Sequence, residues 1–151
     1  MSDFQTRYAD EIFRSKIREL GLMNQFLKDR YGNEASTEFF EFLAQQVRKD
    51  IVKSNPQLSL EEFAEVYSNW LLSNEQIHIE TTENPGVVQF FVFDCLPLKI
   101  VSSSRPAITA TDFPCKIWCQ RLVPAIAANY GLEGSIVKRS DGCYCTIKKR
   151  P

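Results

Sequence analysis

The segment from Asp112 to Lys149 constrains the fold more than any other part of this chain, because it joins an amphipathic helix to a two-strand hairpin. The runs Ser135-Ile136-Val137-Lys138-Arg139 and Cys143-Tyr144-Cys145-Thr146-Ile147-Lys148 flank Ser140-Asp141-Gly142. Asp-Gly between two β-type runs is a strong short-range hairpin signal. Alternation puts Cys143, Cys145 and Ile147 on one face of the last strand and Tyr144, Thr146 and Lys148 on the other. Upstream, Asp112 is placed as an N-cap with Pro114 in the first helical turn. Cys115, Cys119, Leu122 and Ile126 recur at helical spacing and share a face. Gly131 is placed to end the helix in a left-handed conformation, and Pro124 inside it predicts a bend. The apolar helix face needs a floor, and the Cys143/Cys145/Ile147 face can supply one.

The first half of the chain has a different period. Phe4, Tyr8, Ile12, Phe13, Ile17 and Leu20 make one apolar helical face, and Gly21 interrupts it. Leu22 to Gly32 reads as a second, shorter helix, and Ser36 to Lys53 as a third with Phe39, Phe40, Leu43, Val47 and Ile51 inward. In the fourth, Ser59 and Glu62 make a capping box and Leu58 and Phe63 a hydrophobic staple, with Val66, Tyr67, Trp70 and Leu71 inward. Gln76 to Thr81 then alternates, with His78 as a half-exposed strand residue, and Asn84-Pro85-Gly86 turns. Val87 to Phe93 is apolar on both faces, which predicts a central strand covered on both sides. Phe91, Phe93 and Cys95 fall on one of its faces, and Val88, Phe90, Val92 and Asp94 on the other. From Cys95 to Asp112 the chain reads as irregular and serine-rich, and residues 98–111 as a functional lid or a mobile loop. The predicted order is α-α-α-α-β-β-α-β-β, an α+β fold with helices packed on a four-stranded antiparallel sheet. Length suits a single domain over residues 1–151, with a helical part (1–75) and a cysteine-containing ββαββ part (76–151).

Composition narrows the function classes. A formal charge of −1 argues against a broad nucleic-acid surface. No apolar run approaches the roughly 20 residues of a membrane span. Residues Met1 to Arg7 lack a signal-peptide pattern. Five cysteines, an odd number without an export signal, fit reduced thiols in a cytoplasmic protein. There is no phosphate loop, zinc-protease helix or nucleophile elbow, and no motif assigns a cofactor or an oligomeric state.

The thiols admit three uses. A structural metal site would draw on Cys115, Cys119, Cys143 and Cys145. Tetrahedral zinc holds sulfur at about 2.3 Å. Alternate residues of a regular strand are about 6.6 Å apart, so the strand would have to curl. Thiol catalysis would favour Cys115, in the first turn of its helix and close in sequence to Lys116 and Arg121. Read as small buried hydrophobes, the same cysteines need no chemistry.

The motifs Phe93-Asp94-Cys95-Leu96-Pro97, Phe113-Pro114-Cys115-Lys116-Ile117-Trp118-Cys119, Gly131 and Asp141-Gly142-Cys143-Tyr144-Cys145-Thr146-Ile147 carry a further signal. Through them residues 76–149 resemble the L-2-amino-thiazoline-4-carboxylate hydrolase family and, more loosely, the 4-vinyl-reductase-type ligand-binding domains. The chain departs from that pattern where Leu96 separates Cys95 from Pro97 and where Asp141 alone precedes the last cysteines. The resemblance implies a helical N-terminal part, a small antiparallel sheet and a cysteine-lined pocket for a small organic acid or other small ligand. On that reading the protein is a hydrolase-like small-molecule enzyme acting on a small organic acid or a C–N bond. Cys115 or Cys119 is the nucleophile and Asp112 or Asp94 an acid/base, while Cys95, Trp118, Cys143, Cys145, Phe91 and Phe93 contact ligand. The alternatives are a non-catalytic small-ligand or metal-binding module and a protein-interaction domain using the aromatic helices.

Overall fold

The computed structural model describes the backbone of residues 3–74, 78–139 and 142–151, and within them the side chains of all but residues 4, 70–74 and 78–83. The expectations for Gln76, Ile77, Ser140 and Asp141, and for the side chains of Phe4, Trp70, Leu71 and His78, lie outside the described residues.

The chain opens with one helix, α1 (Asp3–Tyr31), where the sequence predicts two. Gly21 does not break it. A Cβ at that position would lie 2.8 Å from Ile108 Cδ1 and 3.6 Å from Phe113 Cδ1. The missing side chain lets the segment before the next helices lie directly on α1, at the ordinary cost of glycine in a helix of about 1 kcal/mol. Of the apolar face predicted here, Ile17 is buried and Phe13 and Leu20 are half-buried, but Tyr8 remains 58% exposed.

Two more helices follow, α2 (Asn33–Ser54) and α3 (Leu60–Asn74). The capping box ahead of α3 forms as its sequence predicts. The Ser59 amide donates to Glu62 Oε2 at 2.8 Å, and the Glu62 amide donates to Ser59 Oγ at 3.1 Å.

The sheet contains β1 (His78–Asn84), β2 (Val87–Phe93), β3 (Leu132–Arg139) and β4 (Gly142–Lys149). It is antiparallel throughout, in the order β1-β2-β4-β3. Val88, Phe90, Leu132, Cys145 and Ile147 on one face pack with Phe63 and Ala64 of α3 and with the last helix of the chain. β2 is an interior strand, but it is covered on one face only, not both as its composition suggests. On the open face Phe91 stacks on Phe93 and on Tyr144, with ring centroids 5.7 and 4.8 Å apart, and Arg139 lies over the Tyr144 ring. These rings shelter one another, so an apolar strand is accommodated without a second helical layer.

Between β2 and the last helix the chain is less irregular than it reads. Residues Leu96–Ser102 form α4, with Pro97 in its first turn and Ile100 and Val101 buried against α1. The serines that suggest a loop bond back to helix carbonyls instead. Ser102 Oγ donates to Leu98 O and Ser103 Oγ to Lys99 O, both at 2.8 Å. Farther on, Thr109 and Ala110 donate backbone N–H groups to Gln25 Oε1 at 3.0 and 2.6 Å, which fastens this segment to α1.

Residues Cys115–Cys119 then make a π-helical turn that runs into α5 (Gln120–Ala128). The Ile117 N–H reaches Asp112 O at 3.0 Å, and the Cys119 N–H reaches Pro114 O at 2.9 Å. The departure from α geometry therefore lies one turn before Pro124. Asp112 contributes its backbone carbonyl to this start, while Pro114 is the residue that precedes the turn and the Asp112 side chain pairs with Lys28 and Asn24. Gly131, at φ 67°, closes the helical segment as predicted. The resulting order is α-α-α-β-β-α-α-β-β, an α+β fold; two predicted helices fuse and an unpredicted one follows β2. Buried residues gather in two clusters, one between the sheet, α3 and α5 and one among α1, α2 and α4, and Trp118 packs against both. No helix among the described residues is long and apolar enough to cross a membrane.

Candidate functional site

A cleft of about 230 Å³ opens where β2, β3 and β4 meet α4 and the π-helical turn. Its lining includes Asp94, Cys95, Lys99, Cys115, Lys138 and Cys143. Each reaches it for a local reason. β2 ends at Phe93, and Asp94 takes a left-handed conformation, φ 57°, which aspartate tolerates better than most residues. That residue stops the alternation of β2, so Cys95 does not continue the Phe91/Phe93 face but turns into the cleft as the residue preceding α4. Asp94 pairs with Lys99 of the same helix. Cys115 opens the π-helical turn and is only 6% exposed.

From the other side, β4 delivers Cys143, directly opposite Lys138 in the β3–β4 register. Its neighbour Gly142 cannot be replaced without disturbance. It sits at φ 152°, and a Cβ there would fall 2.1 Å from Val92 O. β2 and β4 thus approach each other closely at the end that carries the thiol.

Cys115 and Cys143 line the same cleft, and their mutual interaction dominates the electrostatics of both. Accepting the Cys143 S–H stabilises a Cys115 thiolate. Burial opposes it, while the charge of Lys138 and a backbone hydrogen bond assist, and the Cys115 pKa falls to about 6. Cys143 moves strongly upward, first because it is the donor in this bond, then through burial, then through the charges of Cys115, Cys119 and Cys95 nearby. The pair therefore holds one proton between two sulfurs near neutral pH. None of the five cysteines is in a disulfide.

Of the residues singled out from sequence, Cys95, Cys115 and Cys143 line the cleft, and Cys119 lies within electrostatic reach. Cys145 does not join them. It lies in the core between Phe90 and Ile136, its partners across the sheet, and burial pushes its pKa up to about 12. The four-cysteine set of Cys115, Cys119, Cys143 and Cys145 is therefore divided between cleft and core, because alternate residues of a straight strand are about 6.6 Å apart. Among the described residues no group of three His, Cys, Asp or Glu side chains is arranged to hold a metal ion.

Asp112 turns toward α1. Its carboxylate accepts from Lys28 Nζ at 2.5 Å and Asn24 Nδ2 at 2.8 Å, and Asn24 in turn accepts from Ser36. Burial would raise the Asp112 pKa, but Lys28 and Asn24 outweigh it and hold the carboxyl below its usual range. Trp118 lines a separate groove with Leu20, Met23 and Phe39. Phe91 and Phe93 stack on the open face of the sheet, opposite to Cys143. Sequence reasoning missed Lys138 and Lys99. The signal for Lys138 was the hairpin register, since a two-residue connection sets it against Cys143 where a three-residue turn would set Arg139 there.

Fold and cleft together define an α+β protein with a cleft lined by the thiols of Cys95, Cys115 and Cys143. No family model, no curated protein and no solved structure matches the chain.

Proposed function

We propose that this protein is a small-molecule enzyme of hydrolase-like type, in which Cys115 attacks an electrophilic carbon bonded to nitrogen. The observation that carries this reading is that Cys115, Cys143 and Lys138 line one cleft, where the Cys143 S–H and the Lys138 charge favour a Cys115 thiolate. It supplies an activated nucleophile together with a neighbouring proton donor, the two groups such a step needs. The Cys115 sulfur bonds to the carbon, the C–N bond breaks, and the leaving nitrogen takes the Cys143 proton. Water then hydrolyses the acyl-type thioester, restores Cys115 as a thiolate, and returns a proton to Cys143. Lys138 gives the cleft a cation suited to the carboxylate of a small organic acid. The resemblance of residues 76–149 to the L-2-amino-thiazoline-4-carboxylate hydrolase family points to the same substrate class. Reduced cysteines fit a reducing compartment, so the proposal includes a cytoplasmic location.

Alkylation by iodoacetate, followed by peptide mapping against pH, tests the nucleophile. Cys115 is expected to react with a midpoint at about 6. A midpoint at the ordinary thiol value of 9.0 overturns the assignment. Ring opening of 2-amino-thiazoline-4-carboxylate tests the chemistry. The expected result is turnover by the native chain and none by Cys115→Ser; no turnover by the native chain overturns the hydrolase reading.

A further inference from the structure

The cleft is lined by two interacting thiols, delivered by elements far apart in sequence: Cys115 by the π-helical turn and Cys143 by β4. Hydrolysis needs only one of them to be sulfur. A second thiol aimed at the first is the arrangement that redox chemistry requires, a nucleophilic sulfur with a resolving sulfur beside it. Cys145, on the same face of β4, is set apart in the core and cannot compete for Cys115. Neither partner is in a disulfide, so both thiols are available to the reaction.

We infer that Cys115 and Cys143 form a redox-active dithiol that reduces a small hydroperoxide and closes to a disulfide across the cleft. The inference rests on the Cys115 thiolate described above but not on hydrolysis. In the first step the Cys115 sulfur attacks the distal peroxide oxygen. An S–O bond forms, the O–O bond breaks, and the departing alkoxide takes a proton from solvent. In the second step Cys143 attacks the Cys115 sulfenic acid. An S–S bond forms, the S–O bond breaks, and the hydroxyl leaves as water with the Cys143 proton. The two thiols lose two electrons, and the hydroperoxide gains them to become an alcohol and water. An external dithiol restores the pair by thiol–disulfide exchange. A disulfide needs its sulfurs at about 2.05 Å, so closure requires the two side chains to swing together within the cleft they both line.

The test uses the full reduced chain with one equivalent of hydrogen peroxide, read by intact mass, thiol titration and non-reducing peptide mapping. The expected result is loss of two hydrogens, a fall from five thiols to three, and a cross-link joining the Cys115 and Cys143 peptides. In Cys143→Ser, a near-isosteric change, Cys115 is expected to accumulate as a sulfenic acid that dimedone traps. Addition of oxygen to native Cys115 with no cross-link overturns the inference, as does a cross-link through Cys95 or Cys119. The two proposals separate cleanly. A low-midpoint alkylation without the cross-link removes the redox role and leaves the nucleophile. The cross-link without ring opening removes hydrolysis and leaves the redox role. An alkylation midpoint of 9.0 together with no cross-link removes both.

Discussion

Cys143 and Cys145 stand two residues apart on one face of β4, yet one borders a cleft and the other is sealed in the core. Their neighbours differ accordingly. Cys145 faces Phe90 and Ile136 across the sheet, an apolar setting in which an ionised sulfur has no partner, and burial alone raises its pKa. Cys143 faces Val92 and Lys138 and meets a second thiol from the π-helical turn. Residue type and strand face are the same; what differs is the distance along the strand relative to the helices that cover it. A thiol acquires reactivity here from where the cover ends.

The largest effect that separates the two positions is in the pH dependence of stability. Cys115 has its pKa depressed from 9.0 to about 6 by the Cys143 bond. Its contribution is therefore fully present above pH 9 and lost as pH falls through about 6. Cys145 is raised from 9.0 to about 12, so its contribution is present below pH 9 and lost as pH rises toward 12. Cys143, also raised, acts in the same direction on the alkaline side. Stability against urea is expected to increase between pH 6 and 9 and to decline above it. In Cys115→Ser the acidic limb should disappear, while in Cys145→Ala the alkaline decline should weaken. An unchanged acidic limb in Cys115→Ser would mean that the cleft thiols are electrostatically no different from the core thiol.

Next in size is the response to a hydroxyl. Cys145→Ser buries a hydroxyl among Phe90, Ile136 and Ile147, at an expected cost of about 1–3 kcal/mol. Cys143→Ser places its hydroxyl in a half-buried cleft beside Cys115, where it keeps a hydrogen bond, at about 0.5 kcal/mol. Urea denaturation of both variants at pH 7 measures the difference. Equal losses would break the distinction between cleft and core.

How much of this was legible in the sequence follows the range of the interactions involved. The Ser59/Glu62 box, the stop at Gly131 and the alternation of β4 depend on residues close in the chain, and they could be read. The continuity of α1 through Gly21 could not, because the reason for that glycine is Ile108 and Phe113, far away in sequence. The serines at the end of α4 were misleading because hydroxyls serve loops and helix ends alike. At the site, alternation predicts that Cys143 and Cys145 share a face, but not where α5 and the π-helical turn stop covering it. The turn of Cys95 into the cleft hangs on one left-handed residue, Asp94, which a periodic pattern does not record. The pairing of Lys138 with Cys143 hangs on one residue of hairpin register, and a shift by one exchanges the two faces of a strand.

Lys138 supplies the smallest and most discriminating prediction. Its charge lowers the Cys115 pKa, but the Cys143 hydrogen bond contributes more. Removing the charge in Lys138→Gln should therefore raise the midpoint for Cys115 alkylation less than removing the donor in Cys143→Ala. Lys138 is exposed, so added salt should reproduce part of its loss in the native chain and do little in Lys138→Gln. If Lys138→Gln moved the midpoint more than Cys143→Ala, the cleft would be a simple cationic site for one thiolate. The shared proton would lose its basis, and with it the contrast drawn between Cys143 and Cys145. If instead Cys143→Ala dominates, the second sulfur is what makes the first reactive. A core position such as 145 could then never be converted to that role by adding a lysine alone.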